Sequence, residues 1–242
     1  MSVAEILEDP GEAPPEAEAF YAESLRLLTE SGIPFLLSGT YALTAYTGIT
    51  RPTKDLDVFC KAGDYPRILA FFQERGYRAE VEDERWIAKV WQGEFFFDVI
   101  YNMSNATVPI TDDWFDGAPT IEVFGCEAKI TPPTEFIWSK VFIQDRYRFD
   151  GADVNHVILK KHEEIEWKRL LSYMEPYWEV LLAHLINFRF AYPTERECVP
   201  KWLMEELIGR LFSPRDYVTD ISEWGFADVV GKGLEERHDP IA

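Results

Sequence analysis

The chain has 242 residues, 47% hydrophobic and 15% aromatic, enough to bury a sizeable core in one large domain or two modest ones. Its 43 acidic against 24 basic residues leave a formal charge of -19. That balance argues against wrapping a long polynucleotide, because neutralised phosphates supply most of such affinity.

A bound nucleotide would need metal ions and a few well-placed cations. Cys60, Cys126 and Cys198 lie far apart with no CxxC spacing, and four scattered histidines form no HExxH, so neither a disulfide framework nor a zinc site is expected. The acidic start lacks the layout of a signal peptide, and no run approaches the ~18 apolar residues that span a bilayer. The expectation is a soluble, cytoplasmic protein with no membrane partner.

In chain order, residues 1–14 read as a flexible lead-in. Phe20, Leu25 and Leu28 have helical spacing over 15–31, with Gly32 as the stop. A buried strand is expected over 33–37, a helix over 40–47, a strand over 54–60 and a helix over 65–74. Three strands follow at 77–82, 85–91 and 94–101, the last two joined by a tight turn at Gln92-Gly93. Strands 120–124 and 126–130 flank Gly125 as a hairpin. After Pro132-Pro133 helical patterns dominate: 134–144, 152–161, 163–173, 176–190 and 200–212. The fold class is α+β, a mixed-sheet lobe with flanking helices over 15–131 followed by a mainly helical lobe over 132–230, with 231–242 a second flexible end.

The segment from Phe35 to Phe59 organises this plan. It ends on Asp55-Leu56-Asp57, where residues two apart on a strand put both carboxylates on one face and Leu56 and Val58 on the other. Acids among apolar neighbours are costly unless a cation compensates. Asp98, inside GEFFFDVIY, is a third acid in an apolar strand. Strands 54–60 and 94–101 placed side by side would gather all three, and a pair of Mg²⁺ or Mn²⁺ ions would relieve their repulsion. Upstream, the turn Ser38-Gly39-Thr40 at a helix start could present N–H groups and hydroxyls to phosphates. It could equally be an ordinary N-cap, and the pair of acids a solvated strand edge.

Taken together, Leu37-Ser38-Gly39-Thr40, Asp55-Leu56-Asp57 and Asp98 resemble the signature of the DNA polymerase β-like nucleotidyltransferase superfamily. The run Arg51-Pro52-Thr53-Lys54-Asp55-Leu56-Asp57 is similar to the version in bacterial uncharacterised and abortive-infection type members. Here Ser38 stands in place of the first glycine of the motif, and the spacer to Asp55 is longer. The resemblance implies a nucleotidyltransferase fold and transfer of a nucleoside monophosphate from an NTP to a hydroxyl, with release of pyrophosphate. It also implies Asp55, Asp57 and Asp98 as metal ligands and catalytic residues, Asp98 activating the acceptor. Ser38, Gly39, Thr40 and Lys54 become nucleotide-binding candidates.

A second match runs from Lys140 to Asp153 and resembles the element that follows the core in the abortive-infection type branch. It implies that Lys140 reaches the triphosphate with Arg146 or Arg148 nearby, while Asp150 and Asp153 organise the site. The plain alternative makes Asp150 an N-cap and Asp153 a first-turn acid. Tyr173, Tyr177, Trp178, Phe188, Phe190 and Tyr192 read as core rather than a stacking wall, and His156 and His184 as packing or surface residues. Lys160-Lys161 and Lys168-Arg169 read as solvent-facing basic spots. The partners expected are an NTP and an acceptor that is a small molecule or protein side chain in preference to an RNA end. The rival reading is a catalytically silent nucleotide-sensing or partner-binding module on the same fold.

Overall fold

The computed structural model describes residues 15–51, 53, 55–145 and 148–212. The expected flexible ends, and the candidates Lys54 and Arg146, lie outside the described residues.

A five-stranded sheet in the order β1-β2-β5-β4-β3 forms the centre of the N-terminal half. Its strands are β1 (Leu36–Leu37), β2 (Asp57–Phe59), β3 (Arg78–Asp83), β4 (Ile87–Gln92) and β5 (Phe95–Ile100). β2 and β5 run parallel and every other pair is antiparallel, so the sheet is mixed. One face is apolar: Val58, Ala79, Ala88, Val90, Phe97 and Val99 are all buried. Helices α1 (Pro15–Ser31) and α3 (Tyr65–Gln73) cover it, with Phe20 stacked on Phe95 and Phe72 edge-on to Phe97. The opposite face carries Asp57, Lys89 and Asp98, because alternation along each strand sends neighbours to opposite sides.

Two strands are shorter than the alternation suggests. β1 keeps only two residues, as Pro34 has no N–H to give and the chain turns away at Ser38. β2 begins at Asp57, although the Asp98 N–H still donates to the Leu56 carbonyl at 3.0 Å. Ahead of it Thr53 Oγ1 lies 3.1 Å from the Asp55 carbonyl, a local turn that holds the chain off the ladder.

The turn between β4 and β5 also differs from expectation. Gln92 pairs with Phe95, so the two-residue loop is Gly93-Glu94, with Gly93 at φ 63 in the first position. Glycine there suits a type II′ turn, whose twist matches the flanking strands. The shift puts Lys89 directly opposite Asp98.

Helix α2 (Gly39–Thr47) links β1 to β2, and a hairpin of β6 (Thr120–Val123) and β7 (Cys126–Lys129) follows the sheet. Then come α4 (Pro133–Lys140), α5 (Gly151–Lys161), α6 (Trp167–Tyr173), α7 (Trp178–Ala191) and α8 (Lys201–Phe212). The α+β expectation holds: among the described residues, every regular element after residue 132 is helical, apart from an isolated bridge between Gln144 and Phe149. Helix α4 ends at Lys140 rather than 144 because Ile143 N–H bonds back to the Lys140 carbonyl at 3.0 Å, tightening the chain into a turn. Every residue of α4 is buried, and the Tyr46 hydroxyl donates to the Thr131 carbonyl at 2.6 Å, tying α2 to the approach to α4.

His184 and Phe188 are buried and Tyr173 stacks on Trp138, as expected of core groups, whereas Phe190 is exposed. Two expected solvent-facing cations are half-buried: Arg169 pairs with the buried Glu135 at 2.9 Å, and Lys161 lies over the Tyr46 ring and pairs with Glu164 at 2.8 Å. Among the described residues, no helix is long and apolar enough to cross a membrane.

Candidate active site

A cavity of about 410 Å³ opens on the polar face of the sheet. β2 and β5 meet there in register, Asp57 opposite Asp98, and Asp55 reaches the same place from the segment ahead of β2. One carboxylate oxygen from each of Asp55, Asp57 and Asp98 lies within 4.8 Å of the others. Leu56 and Val58, pointing the other way, are fully buried, so alternation aims the acids as expected.

The pair Asp57 and Gly39 interlock. Gly39 opens α2 with φ 55, and a Cβ at that position would come 1.7 Å from Asp57 Oδ2. Any side chain would therefore occupy the volume of the Asp57 carboxylate. The glycine is required first to admit an acid and only then to expose backbone. Ser38 sits at the N-cap of α2 in extended conformation but makes no cap hydrogen bond, and its buried Oγ has no partner. That departs from the ordinary N-cap alternative and leaves an unpartnered hydroxyl in the cavity lining.

The acids are poised by their surroundings. Burial, then the Asp55 charge, pushes the Asp57 carboxyl up to about 7. Burial also raises Asp98, while Lys89, 3.1 Å from its Oδ1, pulls it back, leaving it at about 6. Asp55 is fixed by Thr53, whose hydroxyl donates to Asp55 Oδ1 at 2.9 Å. Three oxygen donors this close, two of them held above the usual carboxylate range chiefly by burial, fit a hard divalent cation such as Mg²⁺ or Mn²⁺.

The same cavity has a cationic lining, whose Lys140 and Arg148 charges act on Asp57. Lys140 at the end of α4, Arg148 and Arg51 all line the cavity, together with Thr40 and Ser139. Asp150 and Asp153 do not line it; they stand behind the wall and hold the cations. Lys140 Nζ lies 2.6 Å from Asp150 Oδ2 and 3.4 Å from Asp153 Oδ2. Arg51 donates to both oxygens of Asp153 at 2.9 Å, a bidentate bond that ties the segment ahead of β2 to α5. Arg148 donates to Asp150 at 3.0 and 3.1 Å. Although burial works against ionisation, these bonds hold the Asp150 carboxyl below its usual range. Asp150 makes no side-chain cap to α5, so the plain N-cap alternative fails for it.

Three residues of this arrangement escaped assignment from sequence. Arg51 and Thr53 belong to the run preceding Asp55, where a hydroxyl two residues before an acid is a local-bonding signal. Lys89 had a signal only in the β4–β5 register, which the one-residue shift of the turn concealed. The remaining lining mixes apolar residues (Phe59, Trp86, Ile87, Ile100, Met103, Phe142 and Ile143) with the polar Ser104 and Asn105 and a further acid, Asp145.

No family model matches this sequence, and no curated protein does. Solved structures it matches at a distance include the lincosamide antibiotic adenylyltransferase LnuA with lincomycin bound, at 16% identity over 61% of this chain and 98% of that one, TM-score 0.42. Another is ANT(2'')-Ia in complex with adenylyl-2''-tobramycin, at 15% identity over 80% and 98%, TM-score 0.41. A third is a Helicobacter pylori protein described as a nucleotidyltransferase, at 15% identity over 94% and 100%, TM-score 0.39. Identities and scores this low establish neither a shared family nor a shared activity. The chemistry rests on the residues themselves.

Proposed function

We propose that this chain is a divalent-metal-dependent nucleotidyltransferase of the DNA polymerase β-like kind, moving a nucleoside monophosphate from an NTP to an acceptor hydroxyl and releasing pyrophosphate. The observation that carries the reading is the convergence of Asp55, Asp57 and Asp98 on a cavity also lined by Lys140, Arg148 and Arg51. Anionic ligands for a cation beside cations for a polyphosphate are the charge pattern of a metal–nucleotide site.

When bound, a pair of Mg²⁺ or Mn²⁺ ions would supply Lewis acidity to the attacking and leaving oxygens of an in-line displacement. Asp55 and Asp57 would hold both ions, and Asp98 one of them. Asp98 would also help remove the acceptor's proton. The backbone at Gly39 and Thr40, with the unpartnered Ser38 hydroxyl, would receive phosphate oxygens at the start of α2. Lys140 and Arg148 would neutralise the triphosphate, oriented from behind by Asp150 and Asp153. A small molecule or a protein side chain suits the acidic surface better than an RNA end.

Incubation of the purified protein with each α-labelled NTP, Mg²⁺ or Mn²⁺, and a lysate fraction tests this. Label transfer from at least one NTP is expected, and its loss in Asp57→Ala. Transfer that survives this substitution would overturn the mechanism, and NTP binding without any transfer would favour the silent sensing module.

A further inference from the structure

The third carboxylate already has a cation of its own. Lys89 stands opposite Asp98 across the β4–β5 ladder, and its Nζ lies 3.1 Å from Asp98 Oδ1. The same ammonium lies 3.3 Å from Glu82 Oε2 and 4.4 Å from the centre of the Phe96 ring. Glu82 occupies the irregular step where pairing jumps from Val81 to Asp83, a bulge of the sort that re-aims a side chain. Lys89 thus has two anions within reach on one sheet face, with the Phe96 ring beneath its ammonium as a further attraction. The two anions differ: the Asp98 side chain is 9% exposed and that of Glu82 is 54% exposed.

From this geometry we infer that Lys89 is a positioning residue that holds Asp98 in the metal-free site and transfers to Glu82 when Asp98 takes a divalent cation. The inference rests on the reading of Asp98 as a metal ligand. An ammonium at 3.1 Å repels a second cation approaching the same oxygen, where a ligand distance of about 2.1 Å is needed for Mg²⁺. With no other anion at hand, Lys89 would oppose loading of the site. Glu82 removes that obstacle, because the ammonium can leave Asp98 without losing a partner. Ligation at Asp98 is then coupled to the Lys89–Glu82 pair, and the coupling has a sign that a merely structural ion pair would not produce. Removing Lys89 strengthens metal binding, removing Glu82 weakens it, and the effect of Glu82 depends on Lys89 being present.

The test titrates Mn²⁺ alone into the full chain and follows loss of the free-ion electron paramagnetic resonance signal. Wild type is expected to bind, and Asp98→Asn to lose at least one ion. Lys89→Met should bind that ion roughly threefold to tenfold more tightly, and Glu82→Gln about threefold more weakly. Glu82→Gln made in the Lys89→Met background should change affinity little, and Lys89→Arg should restore wild-type behaviour. Melting temperature identifies any variant that fails to fold, for which Lys89→Gln then stands in. If Mn²⁺ binds through Asp98 yet Lys89→Met leaves its affinity unchanged or lower, this inference falls and the metal reading stands. If wild type binds no Mn²⁺, or Asp98→Asn binds it as well as wild type, the metal reading itself falls and takes this one with it.

Discussion

Two side chains set the terms at the residue scale. Gly39 is confined by Asp57, whose oxygen occupies the space a Cβ would need. Gly39→Ala should therefore displace the carboxylate by an ångström or more, lowering turnover at least ~100-fold, as misplacements of that size do. Steady-state kinetics beside a thermal melt would separate this from unfolding. Asp57 itself makes a pH prediction. Its folded-state pKa of about 7 lies above the ordinary Asp value near ~3.9, so the folded metal-free chain binds this proton more tightly than the unfolded one. The stability this contributes is full below that lower value and is lost as pH rises through about 7; Asp98 adds a similar loss up to about 6. The melting temperature in chelator should fall between pH 5 and pH 8, less steeply in Asp57→Asn. Added Mg²⁺ should raise it more at the upper pH than at the lower. A metal-free melting temperature that rises across this window in wild type, or is no flatter in the variant, would remove Asp57 as the strained group.

Between elements, what matters is the carboxylate of Asp153, which joins the segment ahead of β2 to α5. Asp153, buried, takes both nitrogens of Arg51 and lies near Lys140. Asp153→Ala leaves Lys140, itself buried, with one anion fewer, and should cost about 3 kcal/mol in urea unfolding, in the range for breaking a buried ion pair. Arg51→Ala should cost less, near ~1 kcal/mol, since its side chain is 42% exposed. Equal losses would mean that the carboxylate is not shared. Sequence pattern located nearly every element but not their ends. Pro34 shortens β1 by having no N–H to give, whereas Thr53 shortens β2 through a local hydrogen bond, a cause visible only once its partner is known. The Gly93-Glu94 loop shows the same limit more sharply. A glycine in a hairpin signals a turn, but both possible registers bury Val90 and Phe97, so side-chain alternation could not say whether the glycine takes the first or second place; with Gly93 first, at φ 63, Lys89 stands opposite Asp98.

At the scale of the whole molecule, the cavity belongs to both halves of the chain. Asp57 and Asp98 come from the sheet, Asp55 and Arg51 from the segment before β2, and Lys140 and Arg148 from α4 and the loop before α5. A ligand bridging them should stabilise all of it together. Mg²⁺ with the correct NTP at a hundred times its Kd is expected to add ~2.7 kcal/mol, against a smaller gain for either alone. A thermal-shift comparison of the four NTPs, with Lys140→Ala as the control that loses the gain, checks this; no shift with any of them would count against a nucleotide site. By itself the sequence determined the α+β order, the apolar and polar faces of β2 and β5, and the three acids, because side-chain periodicity and the cost of burying charge are local facts about residue type. It also marked Lys140, Asp150 and Asp153 without telling which of them faces a ligand. Tertiary structure alone decided that Asp150 and Asp153 stand behind the cations, that Gly39 makes room for Asp57, and that Lys89 sits on Asp98 between two anions. Each of these depends on the distance between groups far apart in the chain, and such distances are set by strand register and helix docking, which no single segment encodes.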